Sequence, residues 1–219
     1  MNLKLKKTEL TEEELEQLLK NRLPGIEVHK AFSPMRNFAI NKIEAREAAV
    51  AIHLRIIGEE VQIILIKRTK YEGAHSQQIA FPGGKKDKTD PDLQFTARRE
   101  SQEELSIGTE QGICLGALTP IMIPASSFRV TPFVFVHKVF PSLKKEEREV
   151  QEIISCRMSD IDTFSKKTYQ NVIAKPGLTI KNVPGVAYKR HFIWGATALI
   201  LHELNCLLKI SESKKRNKP

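Results

Sequence analysis

Apolar positions along the chain fall into two rhythms. Residues 48–54 and 61–66 are short apolar runs rich in branched side chains, and they predict two strands joined by a turn at Gly58, Glu59 and Glu60. Residues 113–119 and 129–139 predict two more, with residues 120–127 as the connecting loop, and residues 149–156 predict a fifth. Helical spacing governs elsewhere. Leu15, Leu18 and Leu19 form a stripe over residues 12–22, behind Thr11 and Glu14 at capping-box spacing, and Leu23, Pro24 and Gly25 end that helix. Residues 29–46 predict an irregular approach. A central helix starts with Asp90 as N-cap and Pro91 in the first position, with Asp92 suiting its positive end. Residues 159–164 predict a short helix, and residues 166–189 predict loops with short strands around Pro176, Gly177, Pro184 and Gly185. Residues 193–210 predict a terminal helix, and the basic tail 211–219 is expected to fray for want of apolar anchors. Trp194, Phe128 and Phe133 are read as core. Strands on both sides of a central acidic helix predict a layered mixed α/β arrangement of the α+β kind.

Composition narrows the class without changing that picture. A chain of 219 residues fits one elaborated domain, with a helical extension over about 8–45, a core over about 46–210 and the tail beyond. A net charge of +9 points to anionic partners. Cys114, Cys156 and Cys206 are sparse and lack metal-site spacing, which argues against a disulfide framework and for a reducing compartment. The apolar run at residues 192–201 is shorter than the roughly 20 residues a membrane span needs, and the N-terminus lacks a secretory apolar stretch. A cytoplasmic protein without membrane contact is expected.

Chemistry concentrates in residues 81–105. Glu100, Glu103 and Glu104 fall within about a third of the helix circumference, at about 100° per residue. Gln94, Arg98 and Gln102 are read as the wet side. Three carboxylates a turn apart repel one another, and a neighbouring cation such as Arg99 or a bound divalent metal would hold them ionised. Oxygen donors without His or Cys favour magnesium or manganese. Gly83 and Gly84 immediately before the helix free the backbone to approach a ligand.

Gly84, followed after fourteen residues by Arg99-Glu100-Ser101-Gln102-Glu103-Glu104-Leu105, resembles the Nudix box: Gly, five residues, Glu, seven residues, then Arg-Glu-apolar-x-Glu-Glu-x-Gly-apolar. The spacing is one residue longer than the general pattern. No Glu stands in the leading acidic position, Ser101 occupies an apolar slot and Ser106 the closing Gly. The longer spacing resembles that of the coenzyme A diphosphatase-like branch. So do Ile64-Leu65-Ile66-Lys67-Arg68 and the run from His75 through Gln78 to Phe81-Pro82-Gly83-Gly84, in which Gln77 replaces a usual Gly. Leu118-Thr119-Pro120, residues 127–134 and residues 193–197 resemble the same branch.

The resemblance implies the Nudix fold, a mixed sheet between helices with the box as loop-helix-loop. It implies metal-dependent hydrolysis of a diphosphate linked to a nucleoside: coenzyme A or its thioesters, cleaved to 3',5'-ADP and 4'-phosphopantetheine or its acyl derivative. NADH, ADP-ribose or a dinucleoside polyphosphate is the alternative substrate, and a catalytically silent nucleotide-binding module the alternative class. Glu100, Glu104, Glu103 and the Gly84 carbonyl are the expected ligands of Mg2+ or Mn2+. Arg99 is expected to orient a carboxylate. Glu103, or a downstream acid such as Glu149 or Glu152, would act as base, and Arg68, His75 and Gln78 would meet substrate. The expected partner is a small coenzyme A-like nucleotide rather than nucleic acid, and a homodimer is the expected assembly if the chain self-associates.

Overall fold

A computed structural model describes residues 10–21, 23–34, 45–69, 77–124, 126–175 and 177–216. Helices α1 (Glu12–Asn21) and α2 (Ile26–Phe32) lead into strands β1 (Arg46–Ile57), β2 (Glu60–Arg68), β3 (Ile79–Ala80) and β4 (Gly83–Lys85). Helix α3 (Leu93–Leu105) follows, then β5 (Ile113–Ala117), β6 (Ile121–Ile123), β7 (Phe128–Val136) and β8 (Val150–Arg157). A 3-10 turn (Met158–Ile161), strands β9 (Lys167–Lys175), β10 (Leu178–Tyr188) and β11 (His191–Trp194), and helix α4 (Gly195–Arg216) complete the chain.

Strand β1 is the axis of the molecule. It runs parallel to β7 from Arg46↔Phe128 to Leu54↔Val136, while its other edge is shared by two antiparallel partners. β4 pairs with its first half at Ala48–Val50, and β2 with its second half at Leu54–Ile57. One parallel pair among antiparallel ones makes the eight-stranded sheet mixed. A separate three-stranded sheet runs in the order β11-β10-β9.

The period of two in the strands decides what packs where. Ile52 and Leu54 of β1, with Ile63 and Leu65 of β2, face the large core closed by Leu15, Leu18 and Leu19 of α1 and by Leu201, Leu204 and Leu207 of α4. The alternate residues Ala49 and Ala51 face α3, where they meet its Ala97 and, from the neighbouring β7, Phe135. Small side chains on that face let α3 lie close to the sheet. Ile64 and Ile66 meet Leu105 and Ile107 at the far end of the same helix. The sheet is therefore held between α3 on one side and α1 and α4 on the other.

Several expectations need correction. Helix α2 runs on to Phe32, so the first residues of the stretch 29–46, expected to be irregular, are helical with His29 and Phe32 buried; residues 35–44 lie outside the described residues. Residues 166–189 form a long hairpin rather than loops, because the bulge between Ile180 and Val183 takes up the irregularity before Pro184 enters the strand. Ile193 and Trp194 belong to β11, and the terminal helix starts at Gly195. That helix continues to Arg216, into the segment expected to fray; residues 217–219 lie outside the described residues. Trp194, Phe128 and Phe133 are half-buried rather than core. The cysteines are unpaired, and burial pushes the Cys156 thiol up to about 12.

Candidate active site

Glu104 lies at the centre of the site. Its carboxylate is fully buried and meets two donors, the Gly83 backbone N–H at 2.8 Å and Arg68 Nη1 at 3.2 Å. Those donors do not offset the loss of water. Burial pushes the Glu104 carboxyl up to about 7, opposed by Arg68 and Gly83, with the charges of Glu100 and Glu149 pushing further upward. Glu100 stands one turn earlier, and a Cβ added to Gly84 would collide with its carboxyl. A larger residue there would make the Glu100 side chain shift away from the loop. Burial raises the Glu100 carboxyl too, against the pull of Arg99 at 3.0 Å.

Arg99 gathers the loop and the helix. Its Nε and Nη2 each donate to Asp90 at 3.0 Å in a two-pronged clamp, and Nη2 also reaches the Lys85 carbonyl at 3.1 Å. Its Nη1 lies 2.9 Å from Glu103 and 3.0 Å from Glu100. Asp90 is buried, and the Arg99 guanidinium holds its carboxyl down at about 2. The Asp87 N–H and the Thr96 hydroxyl also donate to Asp90, at 3.0 and 2.9 Å. Asp90 therefore does not cap the helix. Asp92 does, accepting from the Phe95 N–H at 2.7 Å, and Pro91 stays outside. Five residues separate Gly84 from Asp90, the place where the box motif has its leading Glu. A shorter acid fills that slot.

The remaining expected residues divide. Glu103 is half exposed on the same turn, paired with Arg99. Glu149 is exposed just before β8 begins, where its carbonyl accepts from the Thr69 N–H at 3.0 Å, and its charge is felt at both Glu100 and Glu104. Glu152 turns away to Arg190 at 2.7 Å. Arg68 lies on Glu104, with its own N–H bonded to the Gln78 carbonyl at 3.0 Å. His75 lies outside the described residues. Arg98 is not on a wet face. It donates to the Thr109, Gln111 and Gly112 carbonyls and stacks over Phe135 at 4.6 Å.

A buried polar chain behind the helix had no sequence signal beyond a serine in an apolar slot. Ser101 Oγ donates to the Ala97 carbonyl and lies 2.9 Å from His53 Nε2, while His53 Nδ1 lies 2.9 Å from His137 Nε2. Burial, with His137 and Arg98 nearby, lowers His53 to about 3, so the ring is neutral at physiological pH.

Among the described residues no three acidic, His or Cys side chains converge on one point; Glu100 and Glu103 rest on Arg99 instead. The donor chemistry still fits a hard divalent cation. The acids on this turn offer only oxygen, their burial leaves charge uncompensated, and Gly84 is bare toward Glu100.

Residues 46–175 match the family model of the NUDIX domain, and the chain belongs to the Nudix hydrolase family. It is similar to the "Uncharacterized Nudix hydrolase NudL" of Pectobacterium atrosepticum, 33% identical over 169 residues that cover 77% of this chain and 85% of that protein. The protein of the same description from Photorhabdus laumondii is 33% identical over 159 residues, covering 73% and 83%. Among solved structures, a Nudix hydrolase from M. smegmatis, RenU, aligns at a TM-score of 0.48 and 11% identity, over 80% of this chain and 88% of that one. The chain is thus an enzyme that hydrolyses nucleoside diphosphate-linked compounds, in a family that generally uses divalent metal ions. No described helix is long and apolar enough to cross a membrane.

Proposed function

We propose that this hydrolase cleaves the diphosphate of coenzyme A or its thioesters, adding water across one P–O bond to release 3',5'-ADP and 4'-phosphopantetheine or its acyl derivative. The observation that carries the reading is the buried Glu104 beneath Gly83, held by Arg68, with Glu100 against Gly84 on the same helix. It joins the box to the Arg68 and Gln78 segments that resemble the coenzyme A branch. Glu100, Glu103, Glu104 and the Gly84 carbonyl would hold Mg2+ or Mn2+. When bound, such an ion neutralises phosphate oxygens and acidifies water.

The protein's own groups do the rest. Asp90 fixes Arg99, and Arg99 sets the rotamers of Glu100 and Glu103 through a planar fork that Lys cannot reproduce. Glu149, exposed beside the buried acids, is positioned to accept a proton from water, with Glu103 as the other base. Arg68 carries positive charge to the site edge, and His75 and Gln78 are the other residues proposed to meet substrate.

The test is chromatography of products from native protein with coenzyme A and magnesium or manganese. Release of 3',5'-ADP supports the reading; turnover of NADH, ADP-ribose or a dinucleoside polyphosphate with coenzyme A untouched rejects it. Glu104→Gln keeps the shape and should lower kcat by about 100-fold or more, the scale for losing one charge-stabilising group in a site. Gln keeps the volume of the carboxyl but accepts from only one of the two donors, so far-UV circular dichroism of the metal-free variant should match native protein even if its urea midpoint falls. Unchanged turnover would remove Glu104 from the mechanism.

A further inference from the structure

Next to the glutamate helix the surface reverses sign. Lys85, Lys86 and Lys88 follow Gly84 on the loop, and Arg46 and Phe128 sit opposite one another where β1 and β7 begin. With Glu47 and Asp87 they line a cavity of about 390 Å³, within the size range of ligand sites. Four cations there face two carboxylates, and both acids are already engaged: Glu47 lies 4.0 Å from Arg129, outside the cavity lining, and Asp87 lies 3.7 Å from Lys85. Among the described residues no ion pair engages the ammonium groups of Lys86 or Lys88.

The Arg46 guanidinium is held rather than loose. It lies 4.1 Å from the Phe128 ring centroid and donates from Nη2 to the Ser126 carbonyl at 2.8 Å. A fixed planar cation on an aromatic ring offers a stacking surface beside fixed positive charge. The cavity also adjoins the acidic site: the Lys85 carbonyl accepts from Arg99, and Lys85 directly follows the glycine that Glu100 faces.

We infer that this cavity is a second anion subsite, which takes a phosphomonoester and the neighbouring base of a nucleotide whose diphosphate lies on the glutamate helix. The inference rests on the reading of that helix as the diphosphate site. A dianionic phosphate matches the excess of two cations, and the 3'-phosphate of coenzyme A is a group of this kind. Substrates lacking such a phosphate lose the contact while keeping their scissile bond.

The test is calorimetric titration of metal-free protein with 3',5'-ADP and with 5'-AMP. Native protein is expected to bind 3',5'-ADP about 10- to 100-fold tighter, and the preference should shrink with salt, as for exposed charge pairs. The double variant Lys86→Gln, Lys88→Gln alters exposed loop positions, and it should abolish the preference, with 5'-AMP, which has no 3'-phosphate to lose, weakened far less than 3',5'-ADP. Equal affinities in native protein, or a preference that survives the double variant, would overturn the subsite. Turnover of coenzyme A is scored separately. If only another diphosphate is cleaved, the substrate reading fails while the titration still decides the subsite.

Discussion

Two residues that depart from the family pattern carry the conformation the pattern encodes. Gln77 and Ser106 stand where glycine is usual, and both have left-handed backbones, with φ of 58° and 60°. Ser106 ends α3, its N–H bonding back to the Gln102 carbonyl at 3.0 Å. A side chain in that region costs about 1 kcal/mol, so Ser106→Gly and Gln77→Gly should each stabilise the fold by about 0.5–1 kcal/mol in urea unfolding. A loss of stability would mean that the side chains contribute contacts outweighing the strain. The same scale shows what sequence reading reaches. Glu100, Glu103 and Glu104 were legible because helical spacing alone puts them on one arc. Asp90 as the anchor of Arg99 was not, since the extra residue after it breaks the motif's count and its acid also suits a cap. Arg98 misled for a related reason: its partners are carbonyls more than ten residues away, which no helical wheel contains.

Among elements, strands were read better than their joints. The runs over β1, β2, β7 and β8 announce themselves by branched apolar residues, whereas β9 and β10 hide behind Pro and Gly that a bulge accommodates. The joints depend on buried polar groups. Glu203 of α4 is fully buried, with one oxygen 3.0 Å from His29 Nε2 of α2 and the other accepting from the Thr119 hydroxyl at 2.6 Å. Backbone N–H groups of Gly25 and Thr119 add further donors. Thr197 likewise donates to the Ile79 carbonyl at 2.9 Å and ties the start of α4 to β3. Thr119 and Thr197, in segments that resemble the coenzyme A branch, thus bind elements together. Glu203→Ala strands several buried donors, and it should cost about 3–5 kcal/mol of unfolding free energy, with α2 losing amide-exchange protection before the sheet does. Loss of protection spread evenly over the sheet would contradict that placement.

For the molecule as a whole, titration has an unusual balance. Burial lowers His53 to about 3 and His202 to about 4, and it lowers His137 as well. A histidine depressed in the fold stabilises fully above its unfolded value near 6.5 and loses that contribution as pH falls. Glu104, raised to about 7, and Glu100, raised by burial, act oppositely: their stabilisation is present below the unfolded value near 4.5 and is lost as pH rises. Three histidines against two glutamates leave a net gain with pH up to about 6.5; the Glu104 loss is spread from about 4.5 to 7, so only its last part shows as a shallow decline before the curve levels. Urea unfolding in chelator from pH 4 to 8 should therefore peak around pH 6.5, and Glu104→Gln should flatten the alkaline side. A native-protein curve still climbing at pH 8 would refute this balance.

The central strand has one more implication, for the order of events at the ribosome. Arg46 and Phe128 are neighbours across β1 and β7 although 82 positions separate them along the chain (128 − 46). Nascent β1 must wait for the segment ending at Val136 to emerge, several seconds at about 5–20 residues per second. During that interval its β7-facing edge has no strand partner, and β2 and β4 cover only the other edge, so the nascent segment needs protection from association until β7 arrives.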